Sequence, residues 1–351
     1  MQLEILPSTD EMYAAVARRD TSFEGIFFTA VRTTGVFCRP GCPAKIPARE
    51  NVEFFSSARD AVFAGYRPCL RCRPLEPAGA LPEWLRPLLE EIEAAPNARI
   101  RDTELRRRGL EPERVRRWFV RHYGMTFQAY QRGARLSGAL ARLRQGEAVT
   151  DTAFDSGYDS LAGFNDAFHK LLGTSPGKTD GADVLHARRV LTPLGPMLAV
   201  ASERGLCLLE FSDRRMLELQ LRRIGKAFRR SIAPSPNDAL EQTEGELAGY
   251  FRGERRAFAI PIDLAGSEFQ RTAWSALEKI PYGETRSYAD QARAIGRPSA
   301  VRAVARANGD NPVAIVVPCH RVVGSDGQLT GYGGGLWRKR YLLDLEQGRR
   351  S

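Results

Sequence analysis

Four of the six cysteines in this 351-residue chain fall into two tight pairs, Cys38-x3-Cys42 and Cys69-x2-Cys72, with twenty-six residues between the pairs. Two such pairs can bring four thiolates to one tetrahedral zinc ion, a pattern that cysteines scattered through cores for their packing have no reason to form. A zinc bound by four cysteines is usually structural, but Arg39, Lys45, Arg67, Arg71 and Arg73 lie around these pairs and would admit a DNA phosphate. A second candidate is Cys319, directly followed by His320. The pair alone is a weak signal, because a buried cysteine commonly behaves as a small hydrophobe; the functional alternative is a thiol activated by an imidazole. Cys207, inside the apolar run Leu206-Cys207-Leu208-Leu209, reads as core. His122, His169 and His186 have no metal-like spacing and read as surface or DNA-facing residues.

The elements that must hold these residues come next. Residues 11–20 read as a helix, and Ile26–Val31 and Gly35–Cys38 as two strands around Thr33-Thr34-Gly35, so Cys38 sits at a strand end. Val52–Phe55 is a further strand, and Ser57 N-caps a helix that Gly65 ends, which returns the chain to Cys69. Three prolines between residues 73 and 82 mark a linker. From about 83 to 178 the pattern is helical and repeats itself. Asp102 caps a helix ending at Gly109, Pro112 opens a second through Phe119, and Gly124-Met125-Thr126 follows. Thr150 then caps a helix ending at Gly157, Ser160 opens another through Phe168, and Gly173-Thr174-Ser175 follows. These are two helix-turn-helix units joined by a helix from Thr126 to Arg144. After a polar break at Lys178–Asp183, runs at Val190, Met197–Ala201 and Leu206–Phe211 predict an antiparallel sheet, with helices near 214–224 and 237–251. Beyond Ser267 helices are expected over 267–280, 287–295, 299–307 and 336–346, with the Cys319 loop before the last.

A net charge of +10 favours polyanionic partners, and its distribution sharpens the point: Arg99–Glu147 holds thirteen arginines and five acids. The bland reading of those arginines, a solvated helix face, is weakened by the duplicated unit that carries them. No apolar run approaches the roughly 20 residues of a membrane span, and Met1–Pro7 lacks the pattern of an export signal, so a cytoplasmic protein without membrane association is expected. In that compartment thiols stay reduced, which favours metal binding or nucleophilic chemistry over disulfides.

Three stretches resemble known families. Phe37-Cys38-Arg39-Pro40-x-Cys42, Arg49-Glu50-Asn51-Val52 and Gly65-Tyr66-Arg67-Pro68-Cys69-x-Arg71-Cys72 resemble the N-terminal domain of Ada adaptive-response proteins. The resemblance implies one zinc ion held by Cys38, Cys42, Cys69 and Cys72. It also implies that Cys38 accepts a methyl group from a methylphosphotriester, with Lys45 and Arg67 near the DNA. Zinc would keep the sulfur in its reactive thiolate form, and methylation would remove one negative charge and tighten a DNA complex. The helical middle resembles AraC-type DNA-binding domains. The first recognition helix, near 112–122, offers Arg114, Arg116, Arg117 and Arg121; the second, near 160–171, offers Asn165, His169 and Lys170 against Asp159 and Asp166. Phe127 stands where such domains commonly have proline.

The block from 184 to 351 resembles O6-alkylguanine-DNA alkyltransferases through Ile280-Pro281-Tyr282-Gly283-Glu284-Thr285-x-Ser287-Tyr288, Arg302-Ala303-Val304, Asn311-Pro312-Val313, Pro318-Cys319-His320-Arg321-Val322 and Leu342-Leu343-x-Leu345-Glu346. The implied roles are Cys319 as alkyl acceptor, His320 as its base through water, Glu346 orienting His320 and Asn311 bracing the loop. Tyr288 would protonate the departing guanine, Arg302 fill the space of a flipped nucleotide, and Tyr332, Gly333 and Gly334 close over the base. Lys339 matches a position in the family's final helix that assists the site, or is a solvated lysine.

The expected fold is multidomain α+β: a small α+β zinc module over 1–75, a linker over 76–86, an all-α double helix-turn-helix over 87–178, a ribonuclease-H-like α+β subdomain over 184–264 and a winged-helix-like catalytic subdomain over 265–351. The expected function is single-turnover transfer of methyl groups from DNA to Cys38 and Cys319, coupled to transcriptional regulation. Alkylated and promoter double-stranded DNA are the expected partners, RNA polymerase a further one, and the chain a monomer. Two rivals stand beside this reading: a regulator with a purely structural zinc, and a thiol redox sensor. Neither needs the set Asn311, Cys319, His320 and Glu346.

Overall fold

The computed structural model describes residues 6–20, 23–75, 82–179, 183–214 and 216–349. By its internal contacts the chain forms two units, one made of Met1–Ala78, Glu268–Asn311 and Val317–Ser351, the other of Gly79–Ser267 and Pro312–Val316. Residues 76–81 of the expected linker and 180–182 of the second break lie outside the described residues.

In the first unit, the N-terminal part comprises α1 (Thr9–Arg18), β1 (Phe28–Val31), β2 (Val36–Cys38), β3 (Val52–Phe55), α2 (Ala58–Phe63) and β4 (Arg67–Pro68). Ser8 and Glu11 close a capping box on α1, and Ser57 caps α2 as expected, accepting from the Asp60 amide. The strands order β3-β1-β2-β4, with β2 and β4 parallel and the other pairs antiparallel. The parallel pairing of Phe37 with Pro68 brings the ends of β2 and β4 together, and with them Cys38 and Cys69. Phe27, Phe37, Ala30 and Ala61 are fully buried around this sheet.

The C-terminal part of the same unit holds α11 (Glu268–Glu278), β9 (Arg286–Ser287), α12 (Tyr288–Ala294), α13 (Val301–Gly309), β10 (Val322–Val323) and α14 (Leu336–Glu346). Ser287 opens α12 with a capping box to Asp290. The α13 N-cap is Ala300 rather than Ser299, and the helix runs two residues past the expected Ala307. Buried hydrogen bonds tie these helices: Gln291 pairs with Asn308 in both directions, and Trp274 Nε1 donates to Ala307 O at 2.8 Å. β9 and β10 pair in parallel, which seats the turn after Cys319 beside the start of α12.

The second unit opens with α3 (Arg86–Ala94), α4 (Asp102–Arg107), α5 (Pro112–Tyr123), α6 (Phe127–Arg144), α7 (Val149–Asp155) and α8 (Leu161–Leu172). Pro112 stands in the first turn of α5, where its missing N–H costs nothing, and Thr126 and Ser160 cap α6 and α8. Two expected caps are corrected. Asp102 is the first residue of α4, where its carboxylate accepts from Gln128, and Thr150 lies inside α7, whose N-cap is Ala148. The repeat is visible in the C-caps: α5 and α8 end on Gly124 and Gly173 at φ +69° and +72°, a left-handed conformation glycine adopts without strain.

A sheet follows, β5 (Leu185–Thr192), β6 (Gly195–Ser202), β7 (Gly205–Phe211) and β8 (Ile232–Pro234), in the order β7-β6-β5-β8, with α9 (Leu217–Phe228) and α10 (Asp238–Phe251). β8 is an additional parallel strand on β5. Cys207 is buried core as expected. His186 is partly buried, with its ring nitrogens 2.8 Å from Ser235 Oγ and 3.3 Å from Glu203. One hydrophobic core joins Leu105, Phe119, Tyr123 and Tyr130 of the helices with Leu185, Leu198, Leu208 and Leu221 of the sheet region. Pro312–Val316 also belong here, bonded to the edge of β7 through Leu209, which donates to Pro312 O and accepts from the Ala314 amide.

Candidate active site and metal centre

The four paired cysteines converge. Their sulfurs lie within 4.8 Å of one another, and Cys42 Sγ is 4.0 Å from Cys69 Sγ. Tetrahedral zinc with Zn–S bonds of about 2.3 Å sets sulfurs about 3.8 Å apart, so the cluster has the size of a zinc site. As thiols alone, the set resolves unevenly. Hydrogen bonds from Cys38 and Cys72 pull Cys42 down to about 2, while the bond to Cys42 pushes Cys38 far above the ordinary thiol value. All four can be ionised together only around a cation, and four soft sulfurs in this geometry suit zinc. The Arg39 amide adds a hydrogen bond to Cys72 Sγ at 3.4 Å. Lys45 and Arg67 are exposed on this module, whereas Arg39 is engaged with Glu24 and the Arg73 carbonyl.

The second centre is built on the break between α13 and β10. Asn311, at the C-terminal end of α13 and 2 % exposed, donates from Nδ2 to Val317 O at 2.8 Å and to Cys319 Sγ at 3.1 Å. Cys319 begins a 3-10 turn, Cys319–Arg321, whose residues are all buried. His320 is fully enclosed, and its Nε2 lies 2.9 Å from Glu346 Oε1. An ionised carboxylate only accepts, so the ring must carry its proton on Nε2, which leaves a lone pair on Nδ1. That Nδ1 is buried without a protein partner. Burial holds the His320 ring below its ordinary value, so it is neutral at pH 7.

Arg321 forms the other half of this network, and its role was not legible in the sequence. Its Nε and Nη2 each donate to Glu346 at 2.9 Å, and Nη1 donates to Ile280 O at 2.6 Å. The Gly283 amide supplies a further bond to Glu346 Oε2 at 3.0 Å. Burial alone would raise the Glu346 carboxyl, but its bonds to His320 and Arg321 outweigh burial and hold it well below the usual carboxylate range. Lys339, open between two readings from sequence, is fully buried: Nζ donates to Val322 O at 2.5 Å and Thr330 O at 2.7 Å. Burial brings its ammonium down to about 8.

Tyr288 Oη donates to Thr330 O at 3.2 Å, and burial pushes its hydroxyl up, so it keeps its proton at neutral pH. Tyr332 is 9 % exposed with its ring 6.5 Å from that of His320, Gly333 is exposed and Gly334 buried. Arg302 is exposed on the first turn of α13. The structure therefore brings Asn311, Cys319, His320, Glu346, Tyr288 and Tyr332 to one place and adds Arg321 and Lys339.

On the helical part, Arg114 lies over the Trp84 ring at 4.4 Å, Arg116 pairs with Glu113 at 3.2 Å, and Arg117 donates to the Glu113 carbonyl at 3.4 Å. All three remain exposed, while the Arg121 side chain lies outside the described residues. In α8, Lys170 pairs with Asp166. Among the described residues no helix is long and apolar enough to cross a membrane.

Comparison with known proteins matches four family models along the chain. They are the metal binding domain of Ada over residues 11–75, a helix-turn-helix domain over 105–181, and the ribonuclease-like and DNA binding domains of 6-O-methylguanine DNA methyltransferase over 190–264 and 268–348. The bifunctional transcriptional activator/DNA repair enzyme Ada of Escherichia coli is 37 % identical over 348 residues, 96 % of either chain. The regulatory protein ada of Salmonella typhimurium is 36 % identical over 363 aligned positions, 99 % of either chain. The crystal structure of Mycobacterium tuberculosis OGT in complex with DNA is 44 % identical with a TM-score of 0.42, covering 47 % of this chain and 94 % of its own. With two relatives above 30 % identity along almost the whole length, a four-cysteine cluster of zinc dimensions and a buried Cys-His-Glu network, this chain belongs to the Ada family of DNA repair methyltransferases and transcriptional regulators.

Proposed function

We propose that this chain moves methyl groups from alkylated double-stranded DNA onto two of its own cysteines, Cys38 for backbone methylphosphotriesters and Cys319 for O6-methylguanine and O4-methylthymine. Methylation of Cys38 would switch on promoter binding. The observation that carries this reading is the sealed set in which Asn311 touches Cys319 Sγ, and Glu346 fixes His320 with Nδ1 free.

At Cys319, the thiol proton passes through a water to His320 Nδ1, and the sulfur attacks the methyl carbon of the extruded base. The S–C bond forms as the C–O6 bond breaks, and the electron pair left on guanine is met by the proton of Tyr288. His320 restores that proton through solvent, so the step is neutral overall. Lys339 and Tyr288 hold the Thr330–Gly331 carbonyls, which sets the loop of Tyr332, Gly333 and Gly334 over the base, and Arg302 fills the vacated stack. The product is a thioether that nothing in the site reverses, so each cysteine acts once.

At the other centre Cys38, Cys42, Cys69 and Cys72 would hold zinc, which supplies the charge that keeps their sulfurs ionised at neutral pH. Cys38 Sγ takes the methyl carbon, and the phosphotriester leaves as an ordinary anionic diester. Lys45 and Arg67 attract the backbone. Loss of one thiolate charge lowers repulsion from phosphate, and this favours a tighter DNA complex.

The proposed domains are 1–75, 87–178, 184–264 and 265–351, joined by a linker over 76–86. Arg114, Arg116 and Arg117 read DNA from α5, RNA polymerase is the partner at the promoter, and the protein acts as a monomer in the cytoplasm. The test is single-turnover transfer from a duplex carrying O6-methylguanine, with Cys319→Ala and Cys38→Ala compared. The reading expects loss of guanine repair only in the first, and methylation-dependent promoter affinity only where Cys38 is present. Guanine repair by the Cys319→Ala protein would refute it.

A further inference from the structure

At the joint between the two helix-turn-helix units lies a buried cation with no acidic partner among the described residues. Arg135 projects from the middle of α6 and is 7 % exposed, and its Nε and Nη1 are buried without any hydrogen-bond partner. The guanidinium carbon sits 5.7 Å from the Tyr158 ring centre, and the Tyr158 hydroxyl is itself buried, with Arg135 beside it. Besides the Tyr158 hydroxyl, the groups that act on Arg135 are two further cations, Arg99 and Arg132, both exposed. Among the described residues Arg99 and Arg132 form no ion pair or hydrogen bond, and Arg135 has no acidic partner, its one polar neighbour being the Tyr158 hydroxyl.

Such an arrangement is costly unless something completes it. A guanidinium does not shed its proton in a protein, and an ion removed from water without a partner carries a penalty of several kcal/mol. Burial pulls the Arg135 proton affinity down; Tyr158 opposes it, and the two neighbouring arginines act in the same direction as burial. Three chain segments frame the site: the loop Asn97–Arg99, α6, and the Gly157–Tyr158 turn between α7 and α8. Asn97 Nδ2 donates to Asp155 O at 2.9 Å, which ties the loop to α7. A Cβ on Gly157 would come within 3.1 Å of Asn97 O, so glycine there keeps the two units in close approach. Planar forks from three arginines with a phenolic hydroxyl are the donor set of a tetrahedral oxyanion rather than of a single carboxylate.

We propose that Arg135, Arg99, Arg132 and the Tyr158 hydroxyl form a phosphate-binding site at this joint, and that its occupant fixes the second helix-turn-helix unit against the first. The phosphate comes from the DNA backbone or from solution. This deepens the proposed DNA binding of the helical region; the solution arm stands without that reading.

The test uses the full chain and its Arg135→Met variant, which keeps an apolar side chain of similar reach. Melting is followed in inorganic phosphate and in chloride at matched ionic strength, and affinity for an unmodified duplex is measured against salt. Two outcomes support the site and separate its sources. Phosphate raising the wild-type Tm above that in chloride, with the difference lost in the variant, identifies a free anion. A salt slope lower by about 0.9 in the variant identifies one DNA phosphate. Should Arg135→Met fail to fold, the surface pair Arg99→Gln with Arg132→Gln is read by the same two measurements. A folded variant with both readouts unchanged from wild type overturns the proposal, whether or not the chain binds DNA.

Discussion

Replacing Arg321 with methionine should shift the pH dependence of methyl transfer, because Arg321 shares Glu346 with His320. The guanidinium gives Glu346 two bonds of 2.9 Å and also opposes protonation of His320 by its own charge. In Arg321→Met the whole carboxylate charge falls on the imidazole. A unit charge about 4 Å away is worth about 4 kcal/mol at an effective dielectric near 20, and about 1.4 kcal/mol moves a pKa by one unit. Allowing for the bonds from Gly283 and for relaxation, the His320 ring should rise by at least about one unit. The wild-type ring is neutral at pH 7, so its rate is on a plateau there; the variant should lose about tenfold in rate for each unit below its new limb and recover as the pH is raised above it. Breaking a buried pair costs about 3–5 kcal/mol, and retention of His320 by Glu346 places this case at the lower end, within a total stability of about 5–15 kcal/mol. The assay is single-turnover transfer from an O6-methylguanine duplex between pH 5 and 9. A rate reduced equally at every pH would refute the reasoning and leave Arg321 a purely structural residue.

Other expectations follow from the same contacts. Asn311→Ala removes the side-chain donor that Val317 O and Cys319 Sγ share, which should cost about 1–3 kcal/mol in urea midpoints and slow transfer at Cys319 with no change at Cys38. Stability should also depend on pH with a defined sign. The folded His320 is depressed, so its contribution is full above about 6.5 and declines as pH falls below that; Glu346 is depressed too, and its contribution is present above about 4.5 and lost on further acidification. Urea midpoints at pH 7, 5.5 and 4 should fall in that order. Lys339→Met frees the Thr330–Gly331 carbonyls, and should raise the DNA concentration for half-maximal transfer by about tenfold if two bonds of about 0.7 kcal/mol each are lost. Cys69→Ala, or chelation, should remove zinc and abolish phosphotriester repair, read by metal content and by methyl transfer.

The chemistry of the two centres was largely legible from residue types. The cysteine pairs and the block around Cys319 stand in short stretches where spacing alone constrains function. Local capping was legible where the residue truly precedes the helix, as at Ser57 and Ser160, and failed at Asp102 and Thr150, where a polar residue lies in the first turn instead. What escaped was set by long-range pairing. The parallel contact of β2 with β4 that joins Cys38 to Cys69 depends on residues thirty-one positions apart, and β8 has too few residues to show a pattern. Arg321 was quoted within a motif without a role, since only the approach of α14 turns it from a basic residue into the partner of Glu346. Lys339 has the same history: its position on a helix did not reveal that it is fully buried. The core shared by helices and sheet in the second unit has no local signature either.

The central claim is that two cysteines in this one chain accept methyl groups by separate routes. It is tested most directly by incubating the zinc-loaded protein with methylated DNA and mapping methyl groups by peptide mass spectrometry. The account predicts one methyl on Cys38 and one on Cys319, with Cys42, Cys69, Cys72 and Cys207 unmodified. Methyl groups spread over several cysteines, or absent from Cys38 and Cys319, would contradict it.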